Sequence, residues 1–193
     1  MSPEIIFPIH LVMGYVACLL WFSAYALPKL KSMSRFEAQR AIATVHSFRF
    51  FGLVFFLPGV VGSHLPAGFA TFAAYGDFAT GVLAILALLT ARIRPLFWFF
   101  VVAFNLVGTV DLFDAYFNAI RGGLPALAGQ LGAAYFIPII YVPVLMITHV
   151  VAIYWLVRPQ PKEAPEQPDL VGLRQVPAPF CFKTHFIKEK NNA

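Results

Sequence analysis

The chain has 193 residues, 60% of them hydrophobic and 12% charged, with 14 Lys and Arg against 9 Asp and Glu for a formal charge of +5. This composition excludes a disordered or collagen-like chain and points to a membrane, because a water-soluble core needs no repeated apolar runs of about 20 residues. The basic residues lie at the ends of those runs, not in a stripe with recognition groups between them, so they indicate topology and contact with anionic lipid and exclude nucleic acid as a partner.

Apolar runs cover 5–27, 41–61, 68–91, 95–118 and 133–157. They predict an all-α fold, a polytopic integral membrane bundle of five transmembrane helices occupying 1–157. The first run has no Lys or Arg before it and is long enough to cross a bilayer, so it reads as a retained span and not as a signal peptide. Lys29, Lys31, Arg35 and Arg40 separate the first two runs, Arg92 and Arg94 the third and fourth, and Arg158 and Lys162 follow the fifth, while Arg121 stands alone on the other side. The positive-inside bias then places the N-terminus outside and the C-terminus in the cytoplasm, in a bacterial-type inner membrane.

Several local signals set element ends. Ser34 and Glu37 have the spacing of a capping box, which starts a helix near Arg35. A bend or end is expected at Pro58-Gly59, and Pro66, Gly68 and Pro95 mark later starts. Pro138 and Pro143 each free a carbonyl one turn earlier and predict a kinked last span with space for a pocket beside the bend. Beyond Val157 the prolines multiply and charge returns, so 158–193 reads as a poorly ordered cytoplasmic tail, with Phe180, Phe182, Lys183, Phe186 and Lys188 as a membrane-surface patch. Cys18 in the first span and Cys181 in the tail sit at incompatible levels for a disulfide.

Ionisable groups at membrane depth are costly and are the first candidates for function. Asp111, Asp114 and Asn118 fall within about 60° of one another on a helix, so one face presents them together. Two carboxylates one turn apart call for a shared proton, a cation or a basic partner, and Arg121 is the expected partner. His64 and Asp77 belong to the same level and would complete the pocket; Zn or Mn would be the metal if histidine joined the carboxylates, although no HExxH, HxH or CxxC spacing is present. A second, inner level holds His46, Arg49 and His149. Two histidines on opposing helices suit a b-type haem, with Arg49 near a propionate or reaching a lipid phosphate. Asn105, near the midplane, is expected to bond another helix.

The sequence therefore predicts a binding or transport module with a polar pocket for a cation or proton in the outer half of the membrane. The alternatives are a membrane enzyme or redox protein acting on a lipid or quinone, with haem b at the inner level, and an accessory protein whose polar groups serve assembly into a homo- or hetero-oligomer.

Overall fold

The computed structural model describes residues 2–158. The predicted tail beyond Arg158, with its aromatic and basic patch and Cys181, lies outside the described residues. Helix α1 (Pro3–Trp21) passes through one π-turn (Phe22–Ala26) into α2 (Leu27–Lys31). Next come α3 (Arg35–Ser47) and a 3-10 segment (Phe48–Phe56), then α4 (Ala67–Leu89) and α5 (Arg94–Arg121). A second 3-10 segment (Ala128–Tyr135) and a π-turn (Ile137–Tyr141) lead into α6 (Val142–Val157).

Four helical stretches are long and apolar enough to cross a membrane: Pro3–Lys31, Ala67–Leu89, Arg94–Arg121 and Ile137–Val157. The protein is thus a multi-pass helical membrane protein, with four candidate spans and not the five expected. The run at 41–61 fails as a span for two reasons. The α-helix that enters it, α3, begins six residues before the run, has only 13 residues, about 20 Å at 1.5 Å per residue, and carries Glu37, Gln39, Arg40 and His46. The apolar half after Ser47 is wound as 3-10 helix, a tighter coil with poorer hydrogen bonds. The five-span bundle on which the expected orientation rests is replaced by four such helices, with α3 and the 3-10 segment between the first and second of them in the chain.

The prolines of the last span act as the sequence implies. Pro143 has no N–H for the carbonyl of Ile139, and the helix there opens into the π-turn. Gly14 of α1 lies against that freed carbonyl, where any Cβ would overlap it. The backbones of α1 and the π-turn approach closely because Gly14 has no side chain.

Two apolar clusters form the core. One gathers Phe7, Phe55, Phe69, Ala73, Leu124 and Leu131; the other gathers Phe22, Ile42, Ala84, Phe97, Phe104 and Ala152 near the basic residues. Along α4 the residues between them are Asp77, Thr80 and Gly81, along α5 Asn105, Gly108 and Asp111, and before and within the first 3-10 segment His46 and Arg49. A polar layer therefore separates two apolar ones. Outward, Leu20, Phe99, Leu106, Val110, Ile120 and Val150 are exposed, an apolar surface suited to lipid.

The predicted capping box is present at the start of α3: the Glu37 N–H donates to Ser34 Oγ at 3.3 Å and the Ser34 N–H donates to Glu37 Oε2 at 3.1 Å. The Ser34 backbone N–H, and then its hydroxyl, hold the Glu37 carboxyl below the usual carboxylate range. A lowered folded-state pKa means the contribution is complete above the ordinary value and disappears as pH falls through the lowered one. Glu37→Ala should lower the melting temperature of the purified protein at neutral pH, and the gap from wild type should narrow in acid, where the wild-type carboxylate is itself protonated. A gap that stays constant from neutral to acid pH would show that the charge of the Glu37 carboxylate contributes nothing.

Candidate functional site

The site is built on a change of helical period. In the 3-10 segment, residues three apart eclipse one another, so the face that begins with His46 at the end of α3 continues through Arg49, Gly52 and Phe55, all buried. The helix α4 brings Asp77, Thr80 and Gly81 to the same level on its buried stripe, α5 brings Asn105, Gly108 and Asp111, and α6 brings Thr148 and His149.

Arg49 is the hub and has no exposed surface. Its Nε donates to Asp77 Oδ1 at 2.7 Å and its Nη2 donates to Asp111 Oδ2. Nη1 reaches the Gly108 carbonyl at 3.4 Å and His149 Nε2 at 3.2 Å. A guanidinium only donates, so His149 Nε2 must accept, and the proton of a neutral imidazole then sits on Nδ1, which donates to Asn105 Oδ1 at 3.0 Å. The Asn105 amide is fixed in turn by donating to the Val101 carbonyl at 2.8 Å. His46 has the opposite tautomer. The Thr148 hydroxyl proton goes to the carbonyls of Val144 and Leu145, so Thr148 Oγ1 accepts from His46 Nε2 at 3.0 Å, and His46 Nδ1 is left without a partner among the described residues.

Small residues make this density possible. A Cβ on Gly108 would lie 2.6 Å from Arg49 Nη1 and from His149 Nε2, and one on Gly76 would overlap the Asp111 carboxylate. Beside the cluster opens a cavity of about 180 Å³, lined by Phe7, Leu11, Phe55, Phe69, Leu112 and Tyr116 among others, with Asp77 and Asp111 as its charged members. Asp111 also borders a groove on the outer side of α4 and α5 with Tyr75, Gly76, Val110 and Asp114. Each carboxylate keeps one oxygen, Oδ2 of Asp77 and Oδ1 of Asp111, that accepts no hydrogen bond from the described residues.

Of the residues expected in one pocket, the structure brings Asp77 and Asp111 together and leaves three outside. Asp114 is exposed, Asn118 donates to the Asp114 carbonyl at 2.8 Å instead of facing the cavity, and His64 is exposed in the loop before α4, its N–H on Gln130 Oε1 at 3.3 Å. Arg121 is exposed and lies over the Phe117 ring, so the basic partner is Arg49. The two expected levels are one cluster. His46 and His149 have ring centroids 4.0 Å apart with their planes tilted by 44°, packed directly against each other, and an iron between their nitrogens would have to part the rings; both nitrogens of His149 are also engaged. The residues present do not fit a haem between them. Among the described residues, no group of three or more His, Cys, Asp and Glu is gathered to hold a metal ion.

The glycine contacts yield a direct test. Gly108→Ala should destabilise the purified protein by about 1–3 kcal/mol, the usual cost of overpacking, whereas Gly68→Ala, where a Cβ meets nothing within 4 Å, should leave the melting temperature unchanged or slightly raised. Equal melting temperatures for the two variants would mean that the cluster is looser than described.

No curated protein and no solved structure matches the chain. Residues 6–157 match the profile of a domain of unknown function, DUF8737, a range that takes in both core clusters and every member of the Arg49 network. The chain belongs to the DUF8737 family.

Proposed function

We propose that the protein is a binding or transport module of a bacterial-type inner membrane, and that Asp111 with Asp77 takes up a proton or a cation from the cavity beside Arg49. The observation that carries this reading is the charge count. One guanidinium faces two carboxylates, so the fully ionised cluster has a net charge of −1 at membrane depth. Like charges sharing a site, away from water, favour the state in which one of them is neutralised. Both carboxylates border the cavity, which gives a proton or cation a place to arrive.

Transport, as distinct from binding, is supported by the position of Asp111 between the inner cavity and the groove on the outer side of α4 and α5. A group reached from two separate openings is what a carrier needs. The histidines serve the cluster as neutral, hydrogen-bonded supports, and nothing in their geometry favours a redox role.

The test is thermal unfolding of the purified protein across pH and in sodium, potassium and magnesium chlorides. A ligand at about 100 times its Kd stabilises the native state by about 2.7 kcal/mol, so wild type should show a melting temperature that responds to protons or to one of these cations. Asp111→Asn, isosteric and neutral, should abolish that response, while Asp114→Asn, on the exposed side, should retain it. A response equally strong in Asp111→Asn would overturn the proposal.

A further inference from the structure

We infer that the cation is carried by an organic ammonium, and that the cavity is the binding site of a small amine with an apolar body. The inference rests on the cation reading and goes further, because the cavity wall discriminates among cations. A bare sodium, calcium or magnesium ion requires about six oxygen ligands. The polar side chains of the lining are Asp77 and Asp111, both already held by Arg49, and Tyr116, whose hydroxyl is already shared with Tyr15 at 2.6 Å. The rest of the side-chain lining is hydrocarbon. A proton would neutralise the charge and leave the space unfilled.

An ammonium group meets both demands. Its three N–H donors can address the Asp77 and Asp111 carboxylates where they border the cavity, forming charge-assisted hydrogen bonds. Its hydrocarbon then lies against Phe7, Phe55 and Phe69, whose rings also attract a cation. The size is right for a single ring: an engineered protein cavity of about 150 Å³ takes up benzene, and this one is about 180 Å³. Ile120 is at once part of the lining and 74% exposed. The mouth therefore opens beside it, at the end of α5, where an amphipathic amine dissolved in the membrane border would arrive.

Benzylamine, benzyl alcohol and sodium chloride separate the possibilities, titrated calorimetrically into the purified full chain at neutral pH. Benzylamine should bind at least about tenfold tighter than the alcohol, the gain expected of a charge-assisted contact, and sodium should not compete. Asp111→Asn should bring amine and alcohol within about twofold of each other. Ala115→Leu, which fills the cavity and leaves the ion cluster intact, should weaken both, and it decides the matter if the Asp111 variant does not fold. The inference is overturned if the alcohol binds wild type as tightly as the amine, or if neither variant changes amine binding. If benzylamine does not bind while the proton or cation response persists, the ammonium falls and the broader reading stands; if both are absent, both fall.

Discussion

A guanidinium ion without exposed surface has to be matched by fixed partners, and the way Arg49 is matched organises the bundle. Moving a charge of this size from water into a low-dielectric interior costs several kcal/mol even after relaxation. The cost is offset by contacts drawn from three helices: Asp77 on α4, Asp111 and the Gly108 carbonyl on α5, and His149 on α6. Apolar contact alone does not select one helix register over another in lipid, because lipid tails are as apolar as leucine. Sliding α4 or α5 by one turn, about 5.4 Å, would carry a carboxylate away from Arg49 and leave both ions unmatched. The ion cluster thus fixes register among segments that hydrophobicity would let slip.

The same cluster explains where the small residues lie. Each ion has a glycine within three positions: Gly52 after Arg49, Gly76 before Asp77, and Gly108 before Asp111. A Cβ at any of them would meet the carboxylates, the guanidinium or His149. Close backbone approach and buried charge are therefore one design feature. Shortening the distance between helices is what lets side chains as short as aspartate reach a shared arginine.

Much of this fold was legible from hydropathy, because a span of about 20 apolar residues is a strong signal. The spans near 5–27, 68–91, 95–118 and 133–157 have clear counterparts, as does the capping box at Ser34 and Glu37. The run at 41–61 was misjudged because a hydropathy window does not register the switch from α to 3-10 winding. That switch also hid the site. With a period of 3.6, Arg49 belongs beside His46 on a separate inner level; with a period of 3, His46, Arg49, Gly52 and Phe55 form one buried face directed at α4. Asp77 and Asp111 were legible as deep carboxylates, whereas Asp114 and Asn118 were not separable from Asp111, since a 60° spread on one helix straddles the line between interior and surface. The available clue was the glycine beside each ion, together with the rule that a deep arginine needs a carboxylate.

The polar layer is not symmetric, and its asymmetry gives the site a direction. On the side of the Phe22 and Phe97 cluster, Arg49 is backed by His149, which His46 and Asn105 hold in place, leaving dense, hydrogen-bonded packing. On the side of the Phe7 and Phe69 cluster, the carboxylates border open apolar space. Arg49 and His149 satisfy each other on the closed side, so unfulfilled negative charge is presented where there is room for a ligand. A mobile ion pair would relax to quench that charge. Here the guanidinium is held by four partners and the backbones have closed over it at the glycines, so the imbalance persists until something from the cavity neutralises it.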